Sequence, residues 1–316
     1  MTASILMIVA GLVLVALGAE GLVRGSSSAA LKLGVTPISV GLILGIATGS
    51  PEMVVAFNAA LSGSGDMAVG AVVGSNISNI LLILGFASLL RPLKVKARIL
   101  QREVPIMIGV TGLFVLLLID GGLGRFDGVV LLSAGIIYLI SSYKGAKVPS
   151  ESKELVEELA EELIPSKRGW VREVLFIVLG FVALIVGADV LVDGAVLFAK
   201  QIDISEAVIG LTIIAIGTSL PELATSASAS LRGEPDIAFG NAIGSNVVNI
   251  LFVIGMTAVI LPVQIDGVDA VDFAMVVGST LLLFVLLGRN FFLNRFEGIG
   301  LLVIYSIYLF HLFSRT

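Results

Sequence analysis

Two glutamates stand where an apolar chain offers them little company. Glu52 lies in ATGSPEMVVAF and Glu222 in AIGTSLPELATSAS, each midway along a stretch long enough to cross a membrane. A carboxylate at that depth costs a few kcal/mol or more unless it is paired or faces water. A proline precedes each glutamate. Proline has no N–H and clashes with the preceding turn, so it releases carbonyls around residues 47–48 and 217–218. Inside a membrane those carbonyls must find a partner or line a cavity. Thr48 and Thr218 lie four residues before the glutamates, on the same helical face. Downstream, GSNISNILLILG (Gly74–Gly85) and GSNVVNILFVIG (Gly244–Gly255) place Ser75/Asn79 and Ser245/Asn249 at the same i, i+4 spacing. Every candidate ligand is a hard oxygen, which suits Na⁺, Mg²⁺ and Ca²⁺ and not the softer transition metals. Two carboxylates would neutralise one divalent ion. Asn76 and Asn246 sit about 100° round the helix from the serines, where ligation and helix packing fit equally well.

The elements that carry these residues must be transmembrane helices. The chain is 57% hydrophobic and 14% charged, with a mean hydropathy of +1.09, which defines an all-α polytopic membrane protein. It has no cysteine, and its single histidine, His311, is close to the C-terminus. Disulfides, thiolate metal sites, thiol catalysis, a histidine-ligated metal and a Ser-His-Asp triad are therefore excluded. Nothing in the sequence marks an enzyme, a cofactor site or a nucleic-acid surface. Ile5–Val23 lacks a basic n-region and a clear cleavage site, so it reads as the first span and not as a signal peptide.

Ten spans are predicted, at about 3–23, 37–62, 67–90, 104–119, 127–143, 171–192, 206–231, 237–261, 270–287 and 297–313. Ten spans put both termini on one side, together with 3 basic residues (Arg125, Lys200, Arg315); the other 16 of the 19 lie opposite. Basic residues stay cytoplasmic, so both termini are expected outside and the long loop inside. Three units follow: a first half over 1–143, an acidic linker over 144–170, and a second half over 171–316. In the linker, ESKELVEELAEEL places Leu155, Val156, Leu159 and Leu163 on one helical stripe among glutamates, as a solvated surface helix does. No Asp-rich loop of EF-hand spacing accompanies it. Trp170 reads as an interfacial anchor.

The halves are repeats. Aligned without gaps, Pro51–Gly85 and Pro221–Gly255 share 15 of 35 residues, including the glutamates, their prolines and both asparagine pairs. GAEGLVRG and GADVLVDG echo each other in the first and sixth spans. Five spans per half is odd, so the second half enters the membrane from the opposite side. Inverted repeats are an architecture of secondary transporters, with the site at the midplane between the halves.

The paired motifs, GTSLPE (Gly217–Glu222) with GSNVVN (Gly244–Asn249) and their first-half counterparts, resemble the α-repeats of the cation/Ca²⁺ exchanger superfamily, nearest to its prokaryotic Na⁺/Ca²⁺ exchangers. The resemblance implies an antiporter that exchanges Ca²⁺ for Na⁺ by alternating access. The second, third, seventh and eighth spans would hold the ions while the first and sixth slide past them. Glycines 11, 18, 21 and 25, and 180, 187 and 194, suit either sliding or plain close packing. Carried over by motif position, the ion ligands are Thr48, Glu52, Ser75, Asn79, Thr218, Ser219, Glu222, Ser245 and Asn249. The first half departs from the pattern: Gly49 replaces the serine beside the threonine, and Ser50 becomes a ligand only if a one-residue gap intervenes. Asparagine at both 79 and 249 holds the site at two negative charges and leaves H⁺ open beside Na⁺ as the coupling ion. A site between two halves of one chain needs no second subunit, so the protein is expected to work as a monomer among membrane lipids. The rival readings are a cation channel and a membrane-embedded carboxylate-dyad enzyme. A channel usually needs a continuous ligand ring or an oligomeric axis, and a dyad is unusual beside proline and asparagine.

Overall fold

The computed structural model describes residues 2–33, 42, 44–45, 48–61, 65–144, 170–201, 219–264 and 270–315. Thr218, the linker stripe, and the first parts of the second and seventh spans lie outside the described residues. The described helices are α1 (Thr2–Leu33), α2 (Ser50–Leu61), α3 (Gly65–Ser78), α4 (Gly85–Leu90), α5 (Val104–Leu117), α6 (Arg125–Lys144), α7 (Trp170–Gln201), α8 (Leu220–Arg232), α9 (Pro235–Val248), α10 (Gly255–Ile260), α11 (Ala270–Asn290) and α12 (Arg295–Arg315). A π-helical segment, Asn79–Leu84, joins α3 to α4, and its equivalent, Asn249–Ile254, joins α9 to α10. A third, Ile99–Glu103, precedes α5. Eight described spans are long and apolar enough to cross a membrane.

Burial separates these spans by role. Along their most apolar stretches, Ala68–Leu90 and Pro235–Ile260 are 72% and 78% buried, against 18–44% for the other six. The helices carrying the repeated serine and asparagine motif are thus the centre of the molecule. One apolar core surrounds them, drawing Ile80, Leu84 and Phe114 from the first half and Ile250, Ile254 and Leu283 from the second. α1, α6, α7, α11 and α12 present leucines, isoleucines and valines outward, as helices facing lipid do.

α1 and α7 stand apart. A β-carbon on Gly18 would lie 2.6 Å from the Leu184 nitrogen, and one on Gly180 2.6 Å from that of Leu22. The glycines are the contact itself: only without side chains do the two backbones come this close. Contacts from Gly11 to Leu191, Gly18 to Leu184 and Gly25 to Ile177 run in opposite directions along the helices, so the pair is antiparallel. Its inner face joins a separate small core with α8 and α9 (Ala19, Leu22, Leu184, Ala229, Ile237). Both helices have 32 residues, about 48 Å at 1.5 Å per residue, well beyond a 30 Å hydrocarbon layer. The predicted spans of 3–23 and 171–192 correspond to the apolar stretches Thr2–Ser26 and Trp170–Leu191, and the helices run on past them. Polar residues such as Glu20 and Arg24 end the apolar run and leave the helix intact.

The inverted repeat is written into four two-residue strands. β1 (Leu93–Lys94) pairs antiparallel with β4 (Phe292–Leu293), and β2 (Gly122–Leu123) with β3 (Val263–Gln264). β3 is the repeat equivalent of β1, and β4 that of β2, so each half lends one strand to each pair. The loops after the third and ninth spans therefore share one face, and those after the fourth and eighth share the other. Two halves of opposite orientation give that result.

Candidate ion-binding site

Each glutamate lies in the first turn of a helix whose second residue is proline: Glu52 in α2 and Glu222 in α8. Proline is at home there, because first-turn N–H groups have no helical partner, and the positive helix N-terminus favours a nearby carboxylate. Both side chains are almost fully buried, with 2% and 1% exposure. Thr48, Ser75, Asn79, Ser219, Ser245 and Asn249 are buried around them.

The contacts run from one half to the other. Ser219 Oγ donates to Glu52 Oε1 at 3.3 Å and lies 3.3 Å from Ser75 Oγ. Asn249 Nδ2 donates to Asn76 Oδ1 at 3.2 Å and approaches Ser75 Oγ at 3.4 Å. Asn79 Nδ2 donates to Asn246 Oδ1 at 2.9 Å. Ser245 Oγ donates to the Gly45 carbonyl at 3.2 Å. Thr48 Oγ1 donates to the Leu44 carbonyl at 2.9 Å and lies 3.3 Å from Asn241 Oδ1.

Asn76 and Asn246 resolve as braces. Asn76 Nδ2 donates to the Asn246 carbonyl at 3.2 Å, and Asn246 Nδ2 returns the bond to the Asn76 carbonyl at 3.1 Å. Their side-chain oxygens hold the amide nitrogens of Asn249 and Asn79. Each outer asparagine is thereby clamped by its nitrogen and keeps its oxygen in reserve.

That reserve is the main chemical feature of the site. Glu52 Oε2, both Glu222 carboxylate oxygens, Asn79 Oδ1 and Asn249 Oδ1 are buried and accept no hydrogen bond from the described residues. Buried polar atoms are nearly always paired, and each one that is not costs about 1–3 kcal/mol, more when charged. Five acceptor oxygens, two amide and three carboxylate, form a lining that calls for a cation. Among the described residues, His, Cys, Asp and Glu nowhere gather in threes; the groups beside these two carboxylates are hydroxyls and amides. The π-helical segments begin at Asn79 and Asn249 themselves. Such wide turns recur at functional sites, where they re-aim side chains.

Gly49 also faces the site. A β-carbon there would stand 3.6 Å from Asn249 Oδ1 and 3.9 Å from Glu222 Oε1. In the ungapped comparison of the halves this glycine is the equivalent of Ser219. The Ser50 side chain lies outside the described residues.

Sequence comparison of the halves missed Asn241. Its Nδ2 donates to the Glu222 carbonyl at 3.2 Å and to Ser226 Oγ at 3.0 Å. The equivalent first-half residue is Ala71, so a search for repeated polar residues passes over it. One more step of four residues back from Ser245 would have found it on the same helical face.

The family described as "Sodium/calcium exchanger protein" matches residues 3–144 and 172–314. The chain is 40% identical over 319 residues to CaxA of Alkalimonas amylolytica, covering 99% of this chain and 100% of that one. It is 28% identical over 349 residues to the sodium/calcium exchanger MaX1 of Methanosarcina acetivorans, covering 99% of each. The solved structure of the sodium-calcium exchanger NCX_Mj soaked with zero Na⁺ and Ca²⁺ matches with a TM-score of 0.85 at 28% identity, covering 98% of this chain and 99% of that one. With both halves matched, and with paired glutamates and free amide oxygens meeting between them, the chain belongs to the sodium/calcium exchanger family.

Proposed function

We propose that the protein is a secondary antiporter that exchanges Ca²⁺ for Na⁺ across the membrane by alternating access. One observation carries the reading: five buried acceptor oxygens from both repeats, three of them carboxylate, accept no hydrogen bond from the described residues, and the residues that carry them are linked across the repeat interface. Ca²⁺ takes six to eight oxygens in a flexible shell at about 2.3–2.6 Å. Glu52, Glu222, Asn79 and Asn249 are its principal ligands. Thr48, Ser75, Ser219 and Ser245 supply hydroxyl oxygens, and Thr218 joins them by motif position. Na⁺ is also an oxygen-seeking ion and competes for the same groups.

The moving part is the α1–α7 pair. It is joined glycine to backbone, carries its own small core and meets the central helices largely through α8. Sliding of this pair past α2, α3, α8 and α9 would open the site to one side at a time.

The Arg- and Lys-rich loops face the cytoplasm, and both termini lie outside. Their gathering on one face supports this orientation. Lys96 pairs with Asp236 at 3.2 Å, Arg91 reaches the Leu231 carbonyl at 3.4 Å, and Arg295 reaches that of Leu90 at 3.3 Å. The chain divides into halves over 1–143 and 171–316, joined by a cytoplasmic linker over 144–170. Because both halves of the site come from one chain, the monomer is the working unit.

Ca²⁺ uptake into proteoliposomes under an imposed Na⁺ gradient, compared with an imposed H⁺ gradient, tests the function. Saturable uptake driven by Na⁺ from the opposite side is expected. Uptake that follows only the proton gradient would make this a Ca²⁺/H⁺ antiporter, and uptake that needs no opposing ion would make it a channel.

A further inference from the structure

The two halves of the site are unequal at one position. Ser219 gives a hydroxyl to Glu52 and touches Ser75. Its repeat equivalent, Gly49, has no side chain to give, although Glu222, the equivalent of Glu52, and Asn249 face it: Asn249 Oδ1 is 3.6 Å and Glu222 Oε1 3.9 Å from where a β-carbon would be. The difference is registered in the hydrogen bonding. Ser219 holds one Glu52 carboxylate oxygen, whereas neither Glu222 oxygen has a hydrogen bond of good geometry from the described residues, although the Thr48 and Ser245 hydroxyls lie near it. Ser75 is held against Ser219, whereas Ser245 turns to the Gly45 carbonyl.

The two side-chain oxygens nearest the Gly49 face, Glu222 Oε1 and Asn249 Oδ1, accept no hydrogen bond from the described residues, while the Gly45 carbonyl, 3.1 Å from where a β-carbon would be, already accepts from the Gly49 N–H and from Ser245 Oγ. Such a lining is satisfied by a donor or by a cation. A water offers two donors, and its own lone pairs remain free to face a metal. A buried water is stable where two to four polar groups face it.

Resting on the exchanger reading, we propose that Gly49 determines how the site grips its divalent cation. On the Ser219 side the protein contributes a hydroxyl. On the Gly49 side the ion keeps one of its own waters, held by Glu222 and Asn249. The flexible Ca²⁺ shell accommodates such a mixed set of protein and water oxygens. Gly49 is thus a specificity-determining position of the exchange site, acting through the space it leaves.

The test is ⁴⁵Ca²⁺ binding to the purified full-length protein in detergent, in Na⁺-free buffer, for wild type, Gly49→Ala and Gly49→Ser, with a thermal melt as the folding control. Both variants meet the same 3.1 Å approach to Gly45, so they share the crowding of the β-carbon, and serine adds a hydroxyl to it. The methyl of Gly49→Ala displaces the water without replacing its oxygen, and Ca²⁺ affinity is expected to fall roughly tenfold. Gly49→Ser restores an oxygen and is expected to bind within about threefold of wild type, or more tightly. Crowding alone predicts the reverse order, because serine is the larger side chain. The proposal is overturned if serine binds as weakly as alanine or more weakly, or if alanine binds like wild type. Should Gly49→Ala fail to fold, Gly49→Ser alone decides: near-wild-type binding upholds the proposal and a tenfold loss ends it. A wild-type protein that binds no Ca²⁺ would bring down the exchanger reading and this inference together. A normal wild type with the wrong order of variants would bring down the inference alone.

Discussion

Glu222→Gln should make the ion-free protein more stable and deaf to calcium. Glu222 is 1% exposed, and neither of its carboxylate oxygens accepts a hydrogen bond from the described residues. After relaxation, an uncompensated buried charge still costs several kcal/mol. A buried amide with weak partners costs about 1–3 kcal/mol. Replacing the first by the second leaves a gain on the order of 1–4 kcal/mol. Wild type recovers this by binding its ion, since a ligand at 100 times its Kd adds about 2.7 kcal/mol. Thermal denaturation in detergent, with a chelator and then with saturating Ca²⁺, reads both quantities. In chelator the glutamine variant should melt above wild type. With Ca²⁺ wild type should rise to meet it while the variant stays unmoved, and Ca²⁺ flux through the variant should be abolished. Glu52→Gln should gain less, because Glu52 already accepts a hydrogen bond from Ser219. A glutamine variant that melts below wild type in chelator, or that Ca²⁺ stabilises equally, would refute the claim that this carboxylate is held unpaired for an ion.

Cysteines placed at Asp66 and Asp236 in this cysteine-free chain should react with impermeant reagents from opposite sides, 66 from outside and 236 from the cytoplasm; labelling from one side would refute the inverted arrangement. Gly18→Ala puts a β-carbon 2.6 Å from the Leu184 nitrogen, so it should push α1 from α7 and lower the transport rate several-fold while Ca²⁺ binding in detergent is retained. Asn76→Leu removes the bond to the Asn246 carbonyl and the acceptor for Asn249. It should cost about 1–3 kcal/mol in chemical or thermal denaturation and weaken Ca²⁺ binding by loosening Asn249.

Much of the candidate site was legible because polar residues in an apolar chain are conspicuous. Glu52 and Glu222, their prolines and the Ser75/Asn79 and Ser245/Asn249 pairs stand out against their surroundings, and repetition raises the contrast. Residues that act alone escaped. Asn241 has only Ala71 opposite it in the repeat. Gly49 was visible only as a departure from the repeated pattern, because a residue without a side chain enters no list of ligands. The part played by Asn76 and Asn246 depended on which atoms they meet across the repeat interface, a distance of 170 residues along the chain. The lengths of α1 and α7 were hidden for another reason: hydropathy marks where the membrane ends, whereas a helix continues until its hydrogen bonding fails.

The strand pairs have a consequence for how the protein is made. β1 is complete by Lys94, yet its partner is not synthesised until Phe292 and Leu293. At about 5–20 residues per second, β1 waits roughly 10–40 s for the ribosome to deliver β4. Over that interval the first five spans are already in the bilayer with an open strand edge on each face. They cannot close on themselves, because β1 and β2 emerge on opposite sides of the membrane. A second nascent chain inserted upside down, however, would offer each edge a partner of the same kind. Closure within one molecule is thus a race won by tethering, and a chain truncated before β4 should be captured by chaperones, degraded, or left in antiparallel pairs.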